Sequence, residues 1–478
     1  MVDHRLGDTL DELLLPFGRP TLVHIDSDNG HACVPRYERS IPNREKLTAA
    51  IGEATLAGLN VLCLSNGQVD GGIRQFIFSP LESPCDMMPT DWIEHALDES
   101  KFDLLVASSL ENVFYTSGTY SVATKGLGEA SFCLWSADAG GPYLVMPARE
   151  GSSLVDNGVD PAGVYPFGSS NIYRGDSLSS TDRRVLDVQE AGEFDDPIDA
   201  LSAAIEDLAG ESTVAVEREG FDPDSYARLS GALEGYTLEP AADVLHDLRR
   251  VKTEEERRRL RRSAEITETS MEEAMAELEP GMTEQDLANE FRARVCRKGG
   301  EPLFLTVGFG ERTAYTHPLP GDREIQTGDL VRWDGGCTYE NYCSDIGRTY
   351  AFGSADRAAE QTYEALYAGL DAALGRIRDG VNTGEVYEAG VTAVREFGVD
   401  AVAKFDPFHL GHGIGVEIYD PPTIVPGAGE LTEGMVMCVE PPYNELGTGG
   451  FLIEDEVVVT EDGVETLTEA AESLPVFG

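Results

Sequence analysis

A pattern of paired helices that occurs twice in the second half of the chain limits its fold more than any other feature. Amphipathic sequence predicts one helix over 252–279 and a second through about residue 297. Further along, helices are predicted over 356–377 and 383–398, and strand-like sequence follows each pair. The recurrence indicates an internal duplication, in which two helix–helix–sheet halves bury their faces against each other. Chance similarity between amphipathic helices is the alternative explanation.

The second helix of the first pair carries its own start and stop signals. Thr283 and Asp286 have the spacing of a capping box, in which each side chain accepts a hydrogen bond from the other residue's backbone N–H group. Gly299 is expected to end the helix, because glycine readily adopts the left-handed conformation found there.

The chain upstream has a different character and indicates separate domains. Between about 85 and 245, short apolar runs alternate with amphipathic segments, which is typical of an α/β domain with a mostly parallel sheet. The sequence therefore predicts three parts: an N-terminal extension of unknown role over 1–84, an α/β domain over 85–245 and a further domain over 246–478.

The charge of the chain excludes several kinds of partner. Asp and Glu number 86 against 36 Lys and Arg, which gives a formal net charge of −50 at pH 7 and a pI near 4.3. Such a chain is a poor match for nucleic acid or an anionic membrane. Molar salt screens self-repulsion of this size within roughly 3 Å, so we expect a halophilic protein. An unusually acidic mesophilic protein is the alternative.

The sequence lacks the usual marks of an exported or membrane-spanning protein. Its first residues are acidic where a signal peptide is basic and then apolar, and no apolar stretch approaches the ~18–20 residues that span a bilayer. Eight cysteines are scattered without a CxxC pair, which is typical of free thiols. We therefore expect a cytoplasmic protein.

Acidic residues inside apolar, strand-like sequence are the first sign of a metal site. In LVRWDGGCTYENYCSDIGRTY (330–350), a reversal near Glu340 is expected to bring Asp334 and Asp345 nearly opposite each other. Two facing carboxylates in apolar surroundings are unfavourable unless a cation lies between them. A surface hairpin with solvated acids is the alternative.

The C-terminal part adds two carboxylates and a histidine. Glu440 ends the apolar run MVMCVE, Glu454 lies inside FLIEDEVVV, and His412 lies between glycines in GHGIG. Asp455 and Glu456 are expected to face solvent or a rim. Asp334, Asp345, Glu440 and Glu454 are all expected to lie on strands of one domain, where their combined charge of about −4 needs two divalent ions.

These residues predict a dinuclear metal site, with the ions ~3.5–4 Å apart. Oxygen-rich ligation with a single imidazole suits manganese, cobalt, iron or zinc better than a structural thiolate site does. Manganese is the first candidate, with cobalt, zinc or iron as alternatives.

The order and spacing of these motifs, with THPLP (316–320), resemble the pita-bread metallopeptidases over roughly 246–470. That family includes methionine aminopeptidases, Xaa-Pro aminopeptidases, prolidases and the non-peptidase creatinase. DLLVASSLENVFYTSGTYS and LHDLRRVKTEEE resemble the N-terminal domain of its prolidase-like and creatinase-like members, a domain that methionine aminopeptidases generally lack. The resemblance implies an α/β N-terminal creatinase-like domain plus an α+β C-terminal pita-bread domain with an internal pseudo-two-fold repeat.

The resemblance also implies roles for individual residues. The metal ligands are expected to be Asp334, Asp345, His412, Glu440 and Glu454. Glu440 is expected to act also as the proton shuttle, and His317 to stabilise the oxyanion or hold the substrate.

Three positions depart from the pattern of the family. Tyr419 stands where family peptidases have a second histidine, and it either donates its phenolic proton or only packs. Leu452 stands where many proline-specific members have an arginine. The family's histidine four residues before the ligand is also absent, since position 408 is Phe, and His409 is expected to line the pocket.

The first functional hypothesis is a dinuclear-metal-dependent hydrolase that cleaves an amide bond in small peptides, like an Xaa-Pro aminopeptidase or prolidase. A creatinase-like or other non-peptide C–N hydrolase on the same fold is the alternative, and a non-catalytic binding module is a third. The expected partner is a small peptide or amide substrate, with no nucleic acid and no membrane. Many relatives are dimers, so the resemblance implies a homodimer.

Overall fold

The computed structural model describes residues 90–99, 102–170, 172–192, 194–210 and 213–478. The extension predicted over 1–84 lies outside the described residues. The described residues belong to one compact unit.

A six-stranded sheet organises the first part of this unit. Its strands are β1 (Leu104–Ala107), β2 (Phe132–Ser136), β3 (Gly140–Pro147), β4 (Gly163–Phe167), β5 (Thr213–Val216) and β6 (Thr237–Pro240). The strand order is β4-β3-β2-β1-β5-β6. β2 runs antiparallel to both of its neighbours, whereas the other three pairings are parallel. The sheet is therefore mixed, and the predicted parallel arrangement holds for three of its five pairings.

Helices cover both faces of this sheet, which explains why its central strands β1, β2 and β5 are mostly apolar and buried. The helices are α1 (Thr90–Glu99), α2 (Leu110–Ser117), α3 (Val122–Leu127), α4 (Gly151–Asp156), α5 (Ser180–Glu190), α6 (Pro197–Leu208), α7 (Pro223–Ala232) and α8 (Ala242–Arg250). Leu104 of β1 packs in one core cluster with Leu201 of α6. Leu105, the next residue, packs in the other cluster with Tyr115 of α2. Successive side chains of one strand thus enter two cores.

The second part contains the predicted duplication. Its first half comprises α9 (Glu254–Ala276), α10 (Glu284–Arg297), β7 (Glu301–Phe309), β8 (Leu330–Tyr339), β9 (Tyr342–Cys343) and β10 (Ile346–Phe352). Its second half comprises α11 (Arg357–Leu374), α12 (Thr383–Glu396), β11 (Gly411–Gly413), β12 (Asp420–Thr423), β13 (Val436–Val439), β14 (Tyr443–Glu445), β15 (Gly449–Phe451), β16 (Asp455–Val459), β17 (Val464–Thr466) and β18 (Val476–Phe477). All four predicted helices are present, within a few residues of their expected bounds.

Each half packs a helix pair against its own sheet. One sheet has the order β18-β10-β8-β7, with β9 paired to β8, and the other has the order β12-β11-β13-β16-β17. Phe291 of α10 and Trp333 of β8 meet edge to face in the first core, with ring centroids 5.7 Å apart. Leu366 of α11 and Val439 of β13 lie together in the second core.

The predicted capping box is confirmed at the start of α10. Thr283 Oγ1 accepts a hydrogen bond from Asp286 N at 3.1 Å, and Thr283 N donates to Asp286 Oδ2 at 2.9 Å. Gly299 has φ +89°, a left-handed conformation that follows the end of the helix.

Among the described residues, no helix combines the length and apolar character needed to cross a membrane. The five cysteines of the described part, Cys133, Cys296, Cys337, Cys343 and Cys438, are all free thiols.

Candidate metal centre

The β8–β9–β10 hairpin positions the two aspartates. The chain reverses at Glu340 and Asn341, which have φ values of 49° and 67°, so the predicted reversal is confirmed. Asp334 lies directly opposite Gly347, two residues from Asp345, so the two aspartates are nearly opposite each other as predicted. One carboxylate oxygen of each lies within 4.8 Å of the other.

The backbone just before Asp345 lies unusually close to the backbone of β8 at Gly336 and Cys337. Ser344 N donates to Cys337 O at 2.9 Å. A Cβ atom at Gly336 would lie 1.8 Å from the carbonyl oxygen of Ser344, so only glycine fits there. Asp345 N then donates to Glu456 Oε1 at 2.8 Å, which anchors Asp345 against β16.

Only one of the four carboxylates lies within a strand, in contrast to the prediction for all four. Asp334 belongs to β8, whereas Asp345 lies between β9 and β10, Glu440 follows β13 and Glu454 precedes β16. Strand ends suit ligands well, because the chain is held on one side and free of sheet pairing on the other. Glu454 N donates to Gly347 O at 3.0 Å, which joins the two sheets beside the site.

His412 reaches the same place from β11. Its Nδ1 contacts Gly413 O at 2.9 Å. This contact leaves Nε2 facing Asp345 Oδ2 at 3.6 Å and Glu440 Oε1 at 3.8 Å. Burial lowers the pKa of His412 to about 4, so the imidazole is neutral near pH 7, as a metal ligand must be.

Burial and mutual repulsion raise the pKa values of the clustered carboxyl groups. Burial is the main cause at each, and neighbouring carboxylates add to it at Asp345, Glu440 and Glu454. The pKa of Glu440 rises to about 8 in the absence of cations. Burial also raises the pKa of Asp334, while the charges of Arg332 and His317 oppose that rise. The cluster therefore favours positive charge, supplied either by protons or by metal ions.

The donor atoms fit a metal ion. Asp334, Asp345 and Glu454 each offer one carboxylate oxygen, and these oxygens lie within 4.8 Å of one another. Asp345 Oδ1, Glu454 Oε1 and His412 Nε2 are buried, and no described residue offers them a hydrogen-bond partner. Buried polar atoms are rarely left unpaired, so their convergence is the structural feature that most directly indicates a cation site.

The residues expected to face solvent beside Glu454 are buried, and that prediction was wrong. Asp455 is 4% exposed and Glu456 is fully buried. Asp455 accepts a hydrogen bond from Arg348 at 2.9 Å, and Glu456 anchors Asp345. Both faces of β16 are covered, so alternation along the sequence could not identify an exposed one.

The other predicted residues surround the carboxylates. The Tyr419 ring lies tilted against His412, with centroids 4.0 Å apart, and 59% of Tyr419 is exposed. His409 Nδ1 lies 3.4 Å from Glu440 Oε1 and accepts a hydrogen bond from Gly411 N at 3.2 Å. His317 is exposed, close enough for its charge to act on Asp334.

Three arginines that sequence reasoning missed support the site. They are Arg249, Arg332 and Arg348, which are 1%, 3% and 6% exposed. Arg332 lies two residues before Asp334 in an apolar strand, and Arg348 lies two residues after Ile346 in another. A cation inside such a strand was the available signal, because charge is seldom buried without a partner.

Comparison with known proteins agrees with this geometry. Residues 258–461 match the model of metallopeptidase family M24, and residues 91–251 match that of the creatinase/prolidase N-terminal domain. An uncharacterized peptidase of Staphylococcus aureus (strain bovine RF122 / ET3-1) is 31% identical over 248 residues, which are 51% of this chain and 70% of that relative. The chain therefore belongs to metallopeptidase family M24, and it is a peptidase.

Two solved structures show how far the similarity extends. The dipeptidase PepE from Mycobacterium ulcerans superposes with a TM-score of 0.66 at 28% identity, covering 82% of this chain and 98% of that one. The X-Pro aminopeptidase from Thermotoga maritima MSB8 superposes with a TM-score of 0.64 at 25% identity, covering 82% of this chain and 100% of that one. The predicted pair of a creatinase-like N-terminal domain and a pita-bread domain is confirmed.

Proposed function

We propose that the protein is a dinuclear-metal-dependent peptidase that hydrolyses an amide bond in small peptides, with Xaa-Pro peptides as its first substrate class. The observation that carries the proposal is the convergence of buried, unpartnered ligand atoms from Asp345, His412 and Glu454. The activities named for the superposed dipeptidase and X-Pro aminopeptidase support the choice of substrate class.

The proposed ligands are Asp334, Asp345, His412, Glu440 and Glu454. Their four carboxylates balance two divalent ions, with manganese as the first candidate and cobalt, zinc or iron as alternatives. Ions bound in this way would polarise the scissile carbonyl group and lower the pKa of water. The protein's part is to hold these ligands together, with Asp345, His412 and Glu454 buried.

Glu440 is the proposed proton shuttle. Its carboxylate accepts a proton from the attacking water and passes that proton to the leaving nitrogen. Burial and repulsion from Asp334 raise the pKa of Glu440, and cations bound at the site would offset that rise and keep the group ionised before it acts. His409, whose Nδ1 lies 3.4 Å from Glu440 Oε1, limits where this carboxylate can turn.

His317 and Tyr419 are the proposed donors on the open side of the site. His317 stabilises the oxyanion or holds the substrate. Burial and the charges of Glu440 and Asp345 raise the pKa of Tyr419, so its phenol keeps its proton near neutral pH. Its position against His412 and its exposure suit a hydrogen-bond donor to substrate, the role of the histidine that is absent here.

Arg332 positions the loop that carries His317. Its Nη1 donates to Tyr315 O at 2.8 Å and to Thr316 O at 3.2 Å, immediately before His317. Among the described residues, no carboxylate lies within ion-pair distance of this buried guanidinium. A substrate with a free terminal carboxylate therefore suits the site, because bound metal ions would balance the four ligand carboxylates and leave the charge of Arg332 uncompensated.

A non-peptide C–N hydrolase remains the second candidate. Tyr419 favours it, because this residue changes the substrate side of the site while the five proposed ligands are kept. A non-catalytic binding module has less support, since such a protein does not need a complete ligand set.

The composition and the family support three further proposals. The net charge of −50 suits a halophilic protein that works in a cytoplasm of molar salt concentration. The working unit is proposed to be a homodimer, and the catalytic domain to span 246–478. Sedimentation in molar KCl tests the dimer.

The test of function is hydrolysis of a peptide panel in molar KCl. Xaa-Pro dipeptides, their C-terminal amides and non-proline dipeptides are each assayed with Mn²⁺, Co²⁺ or Zn²⁺, beside an Asp345→Ala control. Metal-dependent cleavage of Xaa-Pro that is lost in the control supports the proposal. Bound metal without cleavage of any peptide shifts the assignment to a non-peptide bond.

A further inference from the structure

The strand that leads to Glu440 carries a thiol on the face of the metal centre. Cys438 of β13 pairs with His412 of β11 on one side and with Glu456 of β16 on the other. Directly paired residues of neighbouring strands present their side chains on the same face of a sheet. Cys438 therefore lies between two residues that belong to the site or support it, and it is fully buried.

The sulfur lies within reach of two of the proposed ligands. Cys438 Sγ, one ring nitrogen of His412 and one carboxylate oxygen of Glu454 all lie within 4.8 Å of one another. Within the described part of the chain, His412 Nε2 and Glu454 Oε1 have no hydrogen-bond partner, and each residue is 1% exposed. The thiol makes a long contact to Asp345 O, at 3.8 Å. Three donor atoms thus face one small volume.

The two ends of the centre differ in their ligand chemistry. Asp334, Asp345 and Glu454 offer oxygen alone, which suits hard ions such as manganese or magnesium. The second group offers nitrogen, sulfur and oxygen, a set that favours zinc, cobalt or cadmium. Ions of different softness are therefore expected to prefer different ends.

We propose that Cys438 is an additional ligand at the histidine end of the metal centre, where its thiolate, His412 and Glu454 bind a thiophilic divalent ion. The thiol proton passes to solvent as the metal–sulfur bond forms. This inference rests on the metal site of the proposed function and adds a ligand to it. It predicts that the two positions differ in affinity, with the thiophilic ion retained at the histidine end.

Cobalt spectroscopy tests the ligand directly. Cobalt(II) is titrated into the metal-free full-length protein, and the near-ultraviolet spectrum is followed for a sulfur-to-cobalt charge-transfer band while the weak visible bands report cobalt binding by any ligand. The charge-transfer band is expected within the first two equivalents. The band is expected to be absent in Cys438→Ser and in Cys438→Thr. It is expected to be kept in the control Cys133→Ser, which removes a buried thiol from β2 of the six-stranded sheet.

The affinity for cadmium gives a second readout. Competition with a chelator is expected to show that Cys438→Ser binds cadmium more weakly than the wild-type protein, by on the order of ten- to a hundred-fold. Loss of a residue that only hydrogen-bonds to a metal ligand lowers metal affinity by this much, so loss of a ligand should lower it at least as far. The affinity for manganese is expected to change much less.

The outcomes separate the two proposals. Visible cobalt bands without a charge-transfer band in the wild-type protein overturn the role of Cys438 and leave the metal centre standing, even if the serine variant does not fold. Absence of any cobalt binding overturns both. A charge-transfer band that persists in folded Cys438→Ser assigns the sulfur to another cysteine and also overturns the inference.

Discussion

Replacing Arg249 with methionine should destabilise the described unit, because this arginine joins the two domains through buried charge. Arg249 is 1% exposed and donates to Asn112 Oδ1 at 2.7 Å in the N-terminal domain. It also donates to Glu417 at 3.0 Å and to Asp420 at 2.9 Å in the segment that begins at His412.

The expected loss in the free energy of unfolding depends on the charges that stay buried after Arg249 is removed. Removing one partner of a buried ion pair costs about 3–5 kcal/mol, because the other charge stays buried. Lys252 Nζ, 3.2 Å from the second oxygen of Asp420, still compensates that carboxylate. We therefore expect the lower end, about 3 kcal/mol, and weaker metal binding because the segment carrying His412 loses an anchor.

Urea unfolding in molar KCl measures the loss, with tryptophan fluorescence as the signal. The control is Arg395→Met, which removes a surface pair with Asp406 of 2.9 Å and should cost less than about 1 kcal/mol. If Arg249→Met loses no more free energy of unfolding than this control, the buried network does not connect the domains energetically.

Three further predictions concern catalysis and salt. Glu440→Gln should lower kcat by about 10²–10⁴-fold while circular dichroism stays unchanged, because the proton shuttle is removed; an unchanged kcat contradicts that role. Tyr419→Phe should lower kcat with folding intact, and Tyr419→His should restore part of it, whereas equal rates in Phe and wild type mean that the ring only packs. Dilution from molar to about 0.1 M KCl should lower the urea midpoint, because the Debye length grows to about 10 Å; a constant midpoint contradicts the proposed salt requirement.

The helices and turns of the second domain could be predicted because their signals are local. The capping box at Thr283 and Asp286 and the reversal at Glu340 depend on a few neighbouring residues, and each is present. The exact register of the hairpin could not be predicted, because it depends on the position of the turn, where a small shift moves every cross-strand pair.

The site could be predicted in its residue types but not in its supporting contacts. The sequence indicated all five proposed ligands, because carboxylates in apolar sequence are unfavourable without a compensating cation. They are Asp334, Asp345, His412, Glu440 and Glu454. Nothing local indicates that Arg249 connects with Asp420, 171 residues away. The burial of Asp455 and Glu456 was missed for the same reason, since the groups that cover β16 come from distant segments.

Anomalous diffraction from crystals grown with Mn²⁺ tests most directly whether the five proposed ligands bind two divalent ions. Two anomalous peaks per chain are expected, about 3.5–4 Å apart, between Asp334, Asp345 and Glu454 on one side and His412 and Glu440 on the other. A single peak refutes the dinuclear assignment. Peaks elsewhere in the chain, or none at full metal loading, contradict the site itself.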